Sequence, residues 1–258
     1  MADSGTSAGA AVYNALFLRF VYDHLVLGFY CSFVWRCSSR KLRSFYGLKV
    51  AGAGDRSSTS KGPDLSGSTT KLRLPPASRL LDCGVGTGYF LEHAPIAGSS
   101  EVVLADLNPA CLDAARLRTV STHSGISCEI VKADFLSDDP IEGLTLERVG
   151  GTKFDVISVM LLLHCLPGPS SRKAKGLVRL RHLLGDRGVL VGSTVLGRGV
   201  RHNALGKFIM FWHNLLGIFD NYTDDVAGFV EPLEGAFQTV KWELCGAMLL
   251  FEASGPKA

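Results

Sequence analysis

A chain of 258 residues with 47% apolar content can build one α/β domain with additions and has ample material for a core. Its formal charge of +3 is too small to argue for a nucleic-acid partner. Seven cysteines without a C-x-x-C pair, and seven histidines without H-x-x-x-H spacing, exclude a disulfide framework and a metal site and fit a reduced, cytoplasmic setting.

The first ten residues are small and polar, without the basic region of a signal peptide. The apolar run Ala11–Trp35 is long enough to raise the question of a membrane span. Arg19, Asp23 and His24 lie inside it, and an ionised group at the bilayer centre costs about 2.5–3.5 kcal/mol. An amphipathic helix within the protein is the better reading, and peripheral membrane contact stays open. Residues 11–46 read as two helices broken near Gly28 and Cys31-Ser32, and 1–49 as an N-terminal helical lid. Serine and glycine then dominate 50–76, the composition of a flexible surface loop.

From Pro75-Pro76 onward, strand and helix alternate through a domain spanning 77–258. Arg79–Cys83 is a short apolar strand, and Thr87–Ala94 the helix that follows. Glu101–Ala105 is the second strand. Asn108 is a good N-cap before Pro109, opening a helix to about Thr122. Cys128–Lys132 is the third strand, and the loop Ser137–Thr152 an insertion. Phe154–Met160 is a fourth strand, continuously apolar as a strand buried on both faces should be. Arg172–Leu184 is helical, Asp186-Arg187-Gly188 a turn, and Val189–Val195 the fifth strand. Residues 203–219 carry apolar side chains at i, i+3, i+4 and i+7, a helix placed to cover a substrate. Asp224–Leu233 is another helix, and Gln238–Cys245 with Ala247–Glu252 a closing hairpin. The order implies an α/β fold, a Rossmann-like doubly wound sheet of seven strands with a C-terminal antiparallel hairpin.

The chemistry concentrates at three strand ends. Asp82 closes the first strand and is followed by Gly84, Gly86 and Gly88, every second residue. Glycine is needed where the backbone takes φ > 0 or approaches a ligand closely, and the N–H groups of such a turn form a ligand-binding position. A dinucleotide fingerprint requires its third glycine one residue further on, where this chain has Tyr89. Asp106 ends the second strand 18 residues past Gly88, near the ~20-residue offset that sets a carboxylate on ribose hydroxyls, and Asp134 follows the third. In an open α/β sheet these positions share one crevice.

The run Asp82-x-Gly84-x-Gly86-x-Gly88 after Leu80-Leu81 resembles the first motif of class I S-adenosylmethionine-dependent methyltransferases. The likeness extends from Leu80 to about Leu196. Leu163-His164-Cys165-Leu166-Pro167-Gly168 and Gly192–Gly197 narrow it to small-molecule methyltransferases of fungal and bacterial specialised metabolism. The resemblance implies S-adenosylmethionine as cofactor. Asp82 and Gly84–Gly88 then hold its methionine part, Asp106 the ribose, Leu107 and Asn108 flank the adenine, Asp134 accepts from its amine with Phe135 beside the ring, and Met160 closes the pocket. No N-P-P-Y or D-P-P-Y tetrad follows the fourth strand, no Pro-Cys nucleophile is present, and no paired-glutamate loop is found, which disfavours nucleic-acid and protein acceptors. A small, largely apolar acceptor methylated at oxygen, ahead of nitrogen or carbon, is the expectation. A non-methylating reaction such as a cyclisation, or a non-catalytic scaffold, is the alternative. A base is needed only if the acceptor must lose a proton. His164 is the first candidate, with Tyr22, His24, His202 and His213 behind it. Oligomeric state is not legible.

Overall fold

Strands form where apolar residues run without interruption, because a strand covered on both faces has no solvent side to mark with polar residues. In the computed structural model, which describes residues 18–51 and 78–257 and, at 18–22 and 24, the backbone alone, seven strands make one sheet, the inner ones buried and the two edge strands largely exposed. They are β1 (Arg79–Cys83), β2 (Glu101–Asp106), β3 (Ser127–Lys132), β4 (Phe154–Met160), β5 (Leu184–Val195), β6 (Phe237–Cys245) and β7 (Met248–Pro256), ordered β3-β2-β1-β4-β5-β7-β6. β1 to β5 are parallel; β7 runs antiparallel between β5 and β6. The doubly wound sheet with its closing hairpin is therefore present. The turn at Gly246 cannot carry a side chain: φ is +60° and a Cβ would meet the Trp35 carbonyl oxygen at 2.1 Å.

Successive residues of each central strand serve opposite faces. Leu80, Val102, Leu104, Val156, Val189 and Val191 pack toward one layer, and Leu81, Val103, Ile157, Val159 and Leu190 toward the other. Each fully buried aliphatic side chain contributes about 1.5–3 kcal/mol. The first layer holds α1 (Leu18–Val34), α2 (Ser39–Val50), α3 (Tyr89–Glu92), α4 (Pro109–Thr122) and α6 (Ala204–Leu215); the second holds α5 (Ser170–Arg179) and α7 (Val226–Ala236).

The N-terminal helices differ from expectation. α1 passes through Gly28 and Cys31-Ser32 unbroken, wound wider than an α-helix. The chain breaks after it, where Arg36 takes φ +56° and the Ala247 N–H donates to the Trp35 carbonyl at 2.8 Å. The break is thus set by a partner more than 200 residues away, while the locally plausible breakers are tolerated. α2 buries Leu42, Tyr46 and Val50 against the sheet and is part of its covering layer. The loop read at 50–76 lies, from residue 52, outside the described residues, as do 1–17.

Among the remaining boundaries, two moved furthest. β5 begins at Leu184, five residues before the expected start, because Leu184 pairs with Phe154 and a register irregularity absorbs Asp186-Arg187-Gly188 before Val189 pairs with Val156. The helix after β4 shortens to Ser170–Arg179 and ends in a tighter turn, Leu180–Leu183. The 137–152 segment has no strand or helix, yet it is tied down: Arg79 donates to the Val149 carbonyl at 2.6 Å, and Asp134 N–H to the Glu142 carbonyl at 2.8 Å.

Candidate active site

The carboxyl ends of β1, β2 and β4 adjoin in the sheet, so the turns leaving them share one edge. Asp82 is 4% exposed. It accepts a short hydrogen bond from the Ser158 hydroxyl on neighbouring β4. Burial pushes its carboxyl up to about 7, against the favourable Ser158 bond and helped by the charge of Asp106. Asp106 is also raised by burial. The backbone N–H groups of Asn108, Gly86, Leu107 and Val85 oppose that rise, and the one on Asn108 lies 2.9 Å from the carboxylate.

The three glycines have separate tasks. All are left-handed, with φ of +69°, +52° and +73°. A Cβ on Gly84 would lie 2.6 Å from Leu162 Cδ1, and one on Gly88 2.9 Å from the Ala115 Cα, so both positions are closed by the protein itself. A Cβ on Gly86 would meet nothing within 4 Å. The open cradle of the turn is therefore at Gly86, which fits a bound cofactor approaching the backbone there. Two substitutions separate these roles. Gly88→Ala is expected to destabilise the fold by roughly 2–4 kcal/mol through left-handed strain and overlap with α4. Gly86→Ala is expected to cost only about 1–2 kcal/mol of stability while abolishing cofactor binding. Urea unfolding together with calorimetry checks both, and equal stability losses in the two variants would contradict the assignment.

The turn is held from outside by a contact that sequence reasoning missed. The Thr87 hydroxyl donates to Asp23 of α1 at 2.7 Å, Arg118 of α4 donates to the other Asp23 oxygen at 2.6 Å, and Arg118 also pairs closely with Glu92 of α3. Asp23, read from sequence as a misfit in an apolar run, is thus the paired anchor of that run. No helix among the described residues is long and apolar enough to cross a membrane.

Asn108 caps α4 by accepting from the Ala110 N–H at 3.0 Å, and Leu107 is 51% exposed beside it. Asp134 accepts from the Leu136 N–H at 2.8 Å. Phe135 is buried against Gly176 of α5. Met160 is buried at the end of β4, with the Ser193 hydroxyl 3.7 Å from its sulfur. Next to it Leu161 holds φ +58°, a conformation costly for a branched side chain, at the mouth of the site. The side chains of Tyr22 and His24 lie outside the described residues.

Beyond Leu161 a cavity of about 60 Å³ opens, lined by Tyr30, Trp35, Leu161, His164, His213 and Phe219 among others. α1 and α6 supply two of its walls and touch each other, the Asn203 side chain donating to the Phe33 carbonyl at 2.9 Å. His164 is buried, its ring edge-on to Phe219 at 4.5 Å, and burial with nearby Lys173 and His213 lowers it to about 3. It is a neutral imidazole. His202, by contrast, lines a separate and more open cavity with Lys207 and Tyr222.

A family model described as a methyltransferase domain matches residues 60–222. The chain is 33% identical over 253 residues to a physcion biosynthesis cluster O-methyltransferase of Aspergillus chevalieri, covering 98% of this chain and 97% of that protein. It is 34% identical over 262 residues to methyltransferase verB of Penicillium polonicum, covering 96% and 98%. Among solved structures, the N-methyltransferase NodS of Bradyrhizobium japonicum, in complex with S-adenosyl-L-homocysteine, shares the fold at 15% identity with a TM-score of 0.53, over 85% of this chain and 88% of that one. These relatives favour methyl transfer over a different reaction or a scaffold role. With an intact acidic-glycine turn and an open cradle at Gly86, the chain belongs to the methyltransferase-domain family and is an S-adenosylmethionine-dependent methyltransferase.

Proposed function

We propose that the enzyme methylates a hydroxyl group of a small, largely apolar natural product. The observation that carries this is the cavity just past β4, walled by Trp35, Phe219 and Leu161 with few polar groups, the mostly apolar lining expected where a small apolar molecule is bound. Relatives named as O-methyltransferases support oxygen as the acceptor atom. Bound S-adenosylmethionine supplies a methyl group made electrophilic by its sulfonium.

The chain's own residues do the rest. Asp82 and the Gly84–Gly88 turn hold the methionine end, where a carboxyl poised near neutrality by burial can pair with an ammonium. Asp106 offers two acceptors to the ribose diol. Leu107 and Asn108 flank the adenine, Asp134 accepts from its amine, and Phe135 and Met160 close that side. α1 and α6 act as a lid, excluding water from a displacement that depends chiefly on positioning. His164 stands at the acceptor. Seven free cysteines suit residence in the cytoplasm.

Calorimetric titration with S-adenosylmethionine and S-adenosylhomocysteine tests the cofactor site. Micromolar binding is expected for the wild type, weakened at least about a hundredfold in Asp106→Ala by loss of two charge-assisted hydrogen bonds. A folded wild type that binds neither would overturn the reading. Incubation with apolar phenols, read by mass for the gain of one methyl, tests the acceptor class.

A further inference from the structure

We propose that His213, rather than His164, is the general base toward a hydroxyl acceptor, with His164 fixed beside it as a neutral hydrogen-bond donor. The inference rests on the reading that this cavity receives a hydroxyl-bearing acceptor, and it names the group that takes the proton there.

The two imidazoles line the same cavity but are held in opposite tautomers. His213 Nδ1 lies 2.8 Å from the Ile209 carbonyl oxygen, one helical turn earlier. A carbonyl can only accept, so Nδ1 carries the proton and Nε2 carries the lone pair. Among the described residues nothing donates to Nε2. His164 is the reverse: the Val195 N–H points at its Nδ1 from 3.5 Å, with the Thr194 hydroxyl at 3.4 Å. A backbone N–H can only donate, so Nδ1 of His164 is the acceptor and Nε2 bears the hydrogen. One ring thus presents a proton acceptor and the other a proton donor, the pair a hydroxyl uses when it is held and deprotonated at once.

The surroundings fix His213 in that role. Its ring is packed between Tyr30, edge-on at 5.7 Å, and Phe219 at 4.8 Å. The N-terminus of its helix is capped by Asn203, whose side chain also reaches the Phe33 carbonyl of α1. The segment that follows is locked by paired Asn214 and Asn221, the latter donating to the Val195 carbonyl at 2.9 Å. His164 is held on its own side by the Asp220 N–H, which donates to its carbonyl at 3.0 Å. Burial keeps His213 below its ordinary value, so it is unprotonated at neutral pH and available as a base.

The step balances simply. The acceptor O–H bond breaks and its electron pair stays on oxygen, while the proton goes to His213 Nε2. That oxygen pair forms the O–CH3 bond as the C–S pair leaves with sulfur, and the imidazolium returns its proton to water.

The test is 15N spectroscopy of histidine-labelled enzyme saturated with S-adenosylhomocysteine, with phenol as the added probe. His213 is expected in the Nδ1–H form with a bare Nε2 that moves upfield as phenol is added, and His164 in the Nε2–H form. In His213→Phe, phenol affinity should fall about tenfold with S-adenosylhomocysteine affinity unchanged. An Nε2–H tautomer at His213, a phenol response confined to His164, or no response at either ring overturns the proposal. Calorimetric titration of phenol into the same sample separates this from failure of the underlying reading, in which phenol would not bind at all while S-adenosylhomocysteine affinity stayed intact.

Discussion

Lys173→Ala is expected to lower the unfolding free energy by about 3–5 kcal/mol, the range for removing one partner of a buried ion pair. Lys173 and Asp224 both have side chains at 0% exposure, with their nitrogen and oxygen 2.7 Å apart. The lysine also donates to the Asp220 carbonyl, so it holds the loop between α6 and α7 at two points. Burial raises the Asp224 carboxyl to about 6 in spite of the adjacent ammonium. Without that ammonium the carboxyl rises further and must take up a proton, with a void beside it. The loss should therefore deepen above neutral pH, where the proton is harder to obtain. Lys173→Met paired with Asp224→Leu should recover most of the stability, because neither charge is then left without its partner. Urea midpoints at two pH values measure both effects. A loss below about 1 kcal/mol in Lys173→Ala would mean that water reaches the pair.

The second large effect is a pH dependence arising at Asp82. Its carboxyl stands at about 7 in the fold against an ordinary 3.8. A carboxyl raised on folding binds its proton more tightly in the folded state. Its stabilising contribution is complete below the ordinary value and is lost as pH rises from about 4 through 7. The difference of about three pH units corresponds to roughly 4 kcal/mol. Asp106 and Asp224 are shifted in the same direction, so the wild-type profile carries all three. Asp82→Asn isolates the one. Relative to wild type, the variant should gain stability steadily between pH 4 and 7 and show no further gain above about pH 8. Thermal or urea unfolding of the cofactor-free protein across that range measures it, and a pH-independent difference would sink the assignment. Cofactor binding should reverse the sign, since the ammonium it brings favours the ionised carboxylate.

Much of this was open to reading because its determinants are local. A strand buried on both faces shows itself as an unbroken apolar run, and Leu80-Leu81 or Val102–Ala105 need no further context. Asp82 and Asp106 could be placed together because the ends of neighbouring strands in a doubly wound sheet adjoin by topology. What escaped depends on distant partners. The end of α1 is written at Arg36 by the turn following β6. The early start of β5 is written by Phe154 across the sheet. Asp23 looked out of place until Arg118 and Thr87, 95 and 64 residues on, completed its surroundings. The tautomers of His164 and His213 depend on which backbone group each ring meets, and residue spacing carries no record of that.

The joint between Asp23, Thr87 and Arg118 has a thermodynamic corollary. The cavity beyond Leu161, about 60 Å³, is bounded on two sides by α1 and α6. α1 grips the middle of the glycine turn through Asp23, and a shift of α1 is transmitted to Thr87. An acceptor that displaces α1 on entry would therefore couple its binding to the donor's through this one element. Linkage makes this reciprocal: whatever factor the methyl donor exerts on acceptor affinity, the acceptor exerts on the donor's. Through that one carboxylate, a donor that braces the turn and an acceptor that moves the helix would each report on the other.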